Sequence, residues 1–192
     1  MNRLPDVDNP LRSSRFNPLG GAAGLCFALA LSGCTVSGPP LATVSEVDLD
    51  RYLGTWYEIA RYDAPFQKGC TATTATYSLR DDGLIRVDNR CHVDRPDGAL
   101  REAEGKARVV DQTTGAKLEV TFFWPFWADY WVIGLDPGYG WAVVGEPGRK
   151  YLWILSRTPT LPDTTLAHVL RLVGDRGYDP ALLLFTEHAS ED

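Results

Sequence analysis

The residues best able to do chemistry in this 192-residue chain are four cysteines, three histidines and one glutamate set among strand-forming residues. His92, His168 and His188 are too scattered, and the thiols too few, for a zinc site, so neither a metal nor a cofactor is expected. Glu58 alternates with Trp56 in a strand-like stretch. Facing an apolar interior it would lose water, which raises a carboxyl pKa and suits general acid or base work. The other reading is a hydrogen-bonded structural carboxylate, or one turned outward. No nucleophile, base or metal set converges with it, so no catalytic residue is assigned and an enzyme is not expected.

Two of the cysteines belong to the N-terminal region. Gly20 to Gly33 is an apolar run of small residues and leucine, preceded by Arg3, Arg12 and Arg15, and it contains Cys26. A positive flank, a short apolar core and small residues before a cleavage point describe a secretory signal peptide, and the run is too short to span a bilayer. Leu31, Ser32, Gly33 and Cys34 are similar to the bacterial lipobox, in which cleavage falls just before a diacylglyceryl-cysteine. That assigns 1–33 as signal, Cys34 as the lipidated residue and 34–46 as lipidated Cys and tether, Val36 to Val44 being small and Pro-rich. Three acyl chains would hold the protein on a membrane. Thr35 follows the cysteine where the inner-membrane retention signal has Asp, which points to the outer membrane. Cys70 and Cys91 are left, and in an oxidising compartment a pair suggests one disulfide; two free thiols are the alternative.

These residues need elements to position them. With 44% hydrophobic and 23% charged residues the chain is neither disordered nor a multi-span membrane protein. A net charge of −6 with no basic cluster argues against nucleic acid. From Leu53 the chain breaks into short β-like pieces about ten residues apart, beginning near Trp56, Thr73, Leu84, Glu102, Lys117, Tyr130, Trp141 and Tyr151. This is the pattern of an all-β, eight-stranded up-and-down antiparallel barrel. Asp82-Gly83 marks the second hairpin, which brings Cys70 and Cys91 near one end. Alternation turns Leu118, Val120 and Phe122 inward, with Ala75, Tyr77 and Leu79, Ile85 and Val87, and Ala103, Gly105, Ala107 and Val109. Small residues on the fourth strand leave space, yet alternation does not distinguish a cavity from a packed core. After Arg157, Asp163 is a suitable N-cap for a C-terminal helix whose stripe is Leu166, Val169, Leu170 and Val173, and Ala181 to Phe185 can add a short ninth strand. Phe123 to Asp129, with its aromatics around Pro125, forms either a lip at the open end facing ligand or membrane, or a segment that packs down.

Leu53 to Arg61 (LGTWYEIAR) contains Gly54 and Trp56 in the Gly-X-Trp arrangement of the first lipocalin strand, and Tyr151 to Pro159 (YLWILSRTP) is similar to the last-strand signature. Asp136 stands where the middle signature has its Asp. The stretch from about Val47 to Glu187 therefore resembles the bacterial lipocalins, the lipoprotein branch related to apolipoprotein D, and 47–188 is read as a lipocalin barrel domain. The resemblance implies that Arg157 covers Trp56 at the closed end, with Gly54 permitting close chain passage. Inward parity of Arg157 then places Leu155, Trp153 and Tyr151 on the calyx wall, and the family register adds Tyr130, Val132 and Trp141. The implied ligand site is Tyr77, Val87, Phe122, Tyr130, Val132, Trp141, Tyr151, Trp153 and Leu155. The implied ligand is a small hydrophobic one, a fatty acid or lysophospholipid, held at the periplasmic face of the outer membrane. A second copy of the chain is a further candidate partner. Two rivals stand beside binding: a lipid-modifying or isomerising enzyme using Glu58, and an envelope interaction module with a filled barrel.

Overall fold

The computed structural model describes residues 39–189, so the signal segment 1–33 and Cys34 lie outside the described residues. A one-turn helix α1 (Leu49–Tyr52) precedes β1 (Gly54–Arg61), β2 (Cys70–Leu79), β3 (Ile85–Val93), β4 (Leu100–Val109), β5 (Lys117–Phe123), β6 (Phe126–Leu135), β7 (Trp141–Gly145) and β8 (Leu152–Ser156); helix α2 (Asp163–Asp175) and β9 (Leu184–Phe185) follow. Each strand pairs antiparallel with the next, and β1 joins β8 to β2, which closes an eight-stranded barrel. Closure leaves no edge exposed along most of the sheet. β1 does double duty: Gly54 to Tyr57 pair with β2, and Ala60 and Arg61 pair with β9 beyond a bulge at Glu58 to Ala60.

Loops alternate between the two ends of such a barrel. One end carries the β2–β3, β4–β5 and β6–β7 turns and is sealed by α1. There Arg51 lies 4.0 Å over the Tyr139 ring and donates to the Pro137 carbonyl, and Asp136 caps its own turn by accepting from the Gly140 amide. The other end carries the β1–β2, β3–β4, β5–β6 and β7–β8 loops and is the mouth. Cys70 and Cys91 are joined there as a disulfide across β2 and β3.

Two apolar cores share the barrel wall. Trp56, Tyr77, Val87, Leu118, Val132, Val144 and Leu155 pack inside it. Ile59, Ile133, Trp141, Val143, Leu152 and Ile154 pack outside it, against Val169 and Val173 of α2. Every residue of β7 (WAVVG) is buried because one face meets the interior and the other the helix. Period-two alternation is therefore erased in that strand, and Trp141 falls on the outer face, its ring 5.7 Å from His168 of α2, instead of lining the calyx as its register suggested. Leu79 is another exception, two-thirds exposed because β1 begins opposite Tyr77 and offers no neighbour further down. Asp163 is the first residue of α2 and not its cap; Pro162 occupies the cap position without a side-chain bond. Residues 39–46 do not dangle as a tether. Leu41 is buried beside the helix, the Val44 amide donates to the Val132 carbonyl and the Val47 amide to the Thr114 carbonyl.

Candidate ligand-binding site

The barrel interior is built in three levels, and the floor is the most tightly held. Trp56, fully buried, lies under the Arg157 guanidinium at 3.7 Å. The guanidinium donates to the carbonyls of Thr55, Arg51, Tyr52 and Leu53, and the indole N–H donates to the Tyr52 carbonyl at 2.8 Å. One planar cation thus satisfies the carbonyls where α1 hands over to β1, which an unpaired buried backbone would need. Gly54 has φ +93, and a Cβ there would sit 3.4 Å from the guanidinium. Both the chain reversal and the arginine's approach use its freedom.

Above the floor, three tyrosines meet. Tyr52 from α1 and Tyr77 from β2 each place their hydroxyl 2.9 Å from that of Tyr130 on β6. Burial pushes the Tyr77 hydroxyl pKa up to about 12 and drives those of Tyr52 and Tyr130 further up, so all three are neutral O–H groups at physiological pH. Three protons serve two contacts, which leaves one donor for another acceptor in the barrel. Around the trio Leu49, Ile85, Ala107, Leu118 and Val120 line a cavity of about 20 Å³, so the space above the floor is packed nearly solid. The folded state holds these phenol protons more tightly than the unfolded chain, so its stability is complete below pH ~10 and falls as pH rises toward the folded values. The melting temperature is expected to decline above that pH, and less so in Tyr77→Phe; equal declines would count against the buried trio as the cause.

The upper level is different. Val87 is buried opposite Tyr77, Phe122 lies over Gly105, where a Cβ would meet the ring at 2.8 Å, and Trp153 and Leu155 face inward from β8 with Tyr151 stacked on Trp153. Space that the small fourth-strand residue leaves is thus partly filled by Phe122. Ala103 and Ala128, on the inner face by their pairing with Asn89 and Val120, are exposed, so the calyx opens upward beside β4 and β6. On the opposite wall runs a polar belt. Glu58, almost fully buried, accepts from Arg61 at 2.7 Å, from Thr186 at 2.6 Å and, with its second oxygen, from Gln67 at 2.8 Å. Gln67 in turn accepts from the Trp153 indole N–H, and Arg61 also donates to the Gln67 and Cys70 carbonyls. Both carboxylate oxygens of Glu58 are therefore engaged in a lock between β1, the β1–β2 loop and the C-terminal segment. Next to it, Thr73 Oγ1 and Asn89 Oδ1 are buried without a protein partner, as is Arg61 Nε. Unpaired buried polar atoms are costly, so atoms of this kind mark where another polar group would be welcome.

Of the residues expected to line the site, the barrel brings together Tyr77, Val87, Phe122, Tyr130, Val132, Trp153 and Leu155, with Tyr151 at the mouth. Trp141 is on the other side of the wall. Sequence reasoning missed Tyr52, Thr73 and Asn89. Asn89 continues the parity of Ile85 and Val87, but alternation read through hydrophobicity stops where the inner face turns polar.

A closed calyx with a Trp–Arg floor, an exterior helix and an apolar interior open at one end is the architecture of small-ligand carriers of the lipocalin type. The sequence matches the lipocalin-like domain family over residues 47–188, and the chain belongs to that family. It is 43% identical to outer membrane lipoprotein Blc of Escherichia coli over 176 residues, covering 90% of this chain and 97% of that protein. It is 41% identical to the Blc lipoprotein of Vibrio cholerae over 85% of this chain and 95% of the other, and 35% identical to apolipoprotein D of Rattus norvegicus over 74% and 78%. Among solved structures, insecticyanin from Manduca sexta superposes with a TM-score of 0.64 at 21% identity, covering 79% of this chain and 86% of that one, a likeness of fold.

Proposed function

We propose that this lipocalin binds a monoacyl lipid, a fatty acid or lysophospholipid, at the periplasmic face of the outer membrane, held there by acyl groups on Cys34, and that it carries out no catalysis. The observation that carries this reading is the gradient inside the calyx. Apolar Val87, Phe122, Leu155 and Trp153 offer a wall for an acyl chain, and Thr73, Asn89 and Arg61 offer unpaired polar atoms near its upper end. An ionised headgroup stays nearer the mouth, where water still reaches it. The names of the bacterial relatives, outer membrane lipoproteins, support the location. Glu58 is a poor candidate base because donors already occupy both oxygens.

The packed lower barrel favours one rival, a filled barrel that serves as an interaction module. Titrating delipidated protein with a fluorescent fatty acid separates the two. Saturable binding is expected, weakened about tenfold or more by Trp153→Ala, which removes one wall of the chain site. Trp141→Ala, which alters only the helix-side core, is expected to leave affinity unchanged. Absence of saturable binding would leave the filled-barrel reading, and turnover of long-chain esters lost in Glu58→Gln would establish the enzyme. Native mass spectrometry of the purified protein identifies any lipid it carries.

A further inference from the structure

Phe123, Trp124 and Phe126 form the tip of the β5–β6 hairpin and are 81%, 76% and 77% exposed. Phe66 in the β1–β2 loop and Leu100 at the start of β4 are also exposed at the same end. A cluster of large apolar side chains this open to water is unusual on a free surface and marks a contact. We propose that the barrel docks mouth-first on a phospholipid bilayer, with Phe123, Trp124 and Phe126 seated in the interfacial layer. Aromatic rings favour that layer because they are apolar in body and, for tryptophan, polar at one edge.

The chain's own path supports a bilayer as the occupant. The Pro39 carbonyl accepts from Arg149 in the β7–β8 loop, which belongs to the mouth and to the hairpin beside the aromatic tip. From there the chain runs past Leu41 in the helix-side core to Val44 on Val132 and Val47 on Thr114 near the floor, where both valines join the inner core. The described polypeptide thus begins at the mouth. Cys34 precedes Pro39 by five residues, a length that reaches at most about 18 Å. Given acylation of Cys34, on which this step rests, the anchoring membrane lies within that reach of the mouth. Acidic side chains are exposed at both ends, Asp48, Asp50, Asp81 and Asp82 at the closed end and Asp63, Asp94 and Asp97 in the mouth loops, so the choice of end rests on the aromatic tip and on the chain's path. Mouth-first docking would let a lipid pass between bilayer and calyx with little exposure to water.

The test uses the mature protein in vesicles of phosphatidylethanolamine and phosphatidylglycerol, carrying an environment-sensitive dye on a cysteine introduced by Trp124→Cys or, as control, by Asp82→Cys. Nitroxide-labelled lipids are expected to quench the dye at 124 and not at 82, and adding Phe123→Ser with Phe126→Ser is expected to abolish the quenching without changing fatty-acid affinity. An unquenched dye at 124 in protein that floats with the vesicles would overturn the proposal. So would a dye at 124 shielded equally without lipid in a particle that sediments as a dimer, since the tip would then meet a second copy. Mass spectrometry of Cys34 is read in parallel. Were it unmodified, the anchoring reading would fail, while quenching at 124 at saturating lipid would still support docking.

Discussion

Trp56→Ala is expected to lower the unfolding free energy by about 3 to 5 kcal/mol, the range for deleting a large buried aromatic. The indole is fully buried, its ring centroid 4.9 Å from that of Tyr52 and its face under Arg157. Its loss removes apolar burial, opens a hole in the tightest part of the barrel and strips the cation of its aromatic partner, itself worth about 1 to 2 kcal/mol when desolvated. The floor cannot collapse to fill the hole, because Arg157 is pinned to four carbonyls between Arg51 and Thr55, where α1 passes into β1. Urea denaturation followed by near-ultraviolet circular dichroism should show the midpoint fall with the slope retained. Arg157→Lys should also destabilise, since an ammonium keeps the charge but cannot address those carbonyls from one plane. A loss below 1 kcal/mol in Trp56→Ala would mean that the floor is not the keystone its geometry describes.

Glu58→Ala is expected to cost about the same, 3 to 5 kcal/mol, for a different reason: it leaves the Arg61 cation buried without its counter-ion. Arg61 and Glu58 are 7% and 2% exposed and 2.7 Å apart. The same change unpairs Thr186 and Gln67, loosening the C-terminal segment where β9 replaces β2 beside β1. Combining it with Arg61→Met should recover part of the loss, because the double variant leaves no unpaired charge buried. Equal denaturation midpoints for the single and double variants would show that the ion pair itself is not the source. Exposed pairs such as Arg90 with Glu102 are worth far less and should barely register in the same measurement.

Much of this could be read before the fold was known, and the reasons differ by element. β5 shows the clearest alternation in sequence, Leu118 and Val120 against Lys117 and Glu119, because one face meets the core; its other face is only partly open to water, with Lys117 and Glu119 half-buried and Thr121 buried. The closed end of the barrel was legible through the resemblance carried by Gly54, Trp56 and Arg157, whose types suit a close chain passage and a cation over an indole. β7 was not legible. Its neighbours on both faces are apolar, so WAVVG carries no phase information, and Trp141 changed sides. The polar belt was legible only in part: alternation with Trp56 offered an inward position for Glu58, but Thr73 and Asn89 also occupy inner positions, and a rule that equates inward with apolar passes over them.

The order of strands, the exterior helix and the cysteine that could carry lipid were determined by the sequence itself, since each is written in local spacing, turn residues or a short motif. Which residues meet inside the calyx was decided only by closure of the sheet. Closure brings Tyr52, Tyr77 and Tyr130 to one point from elements far apart in the chain, and it carries the C-terminal segment back to Glu58. It also set the start of the described chain against Arg149 of a mouth loop. Local patterns fix how each strand turns its faces; only three-dimensional packing fixes what each face meets.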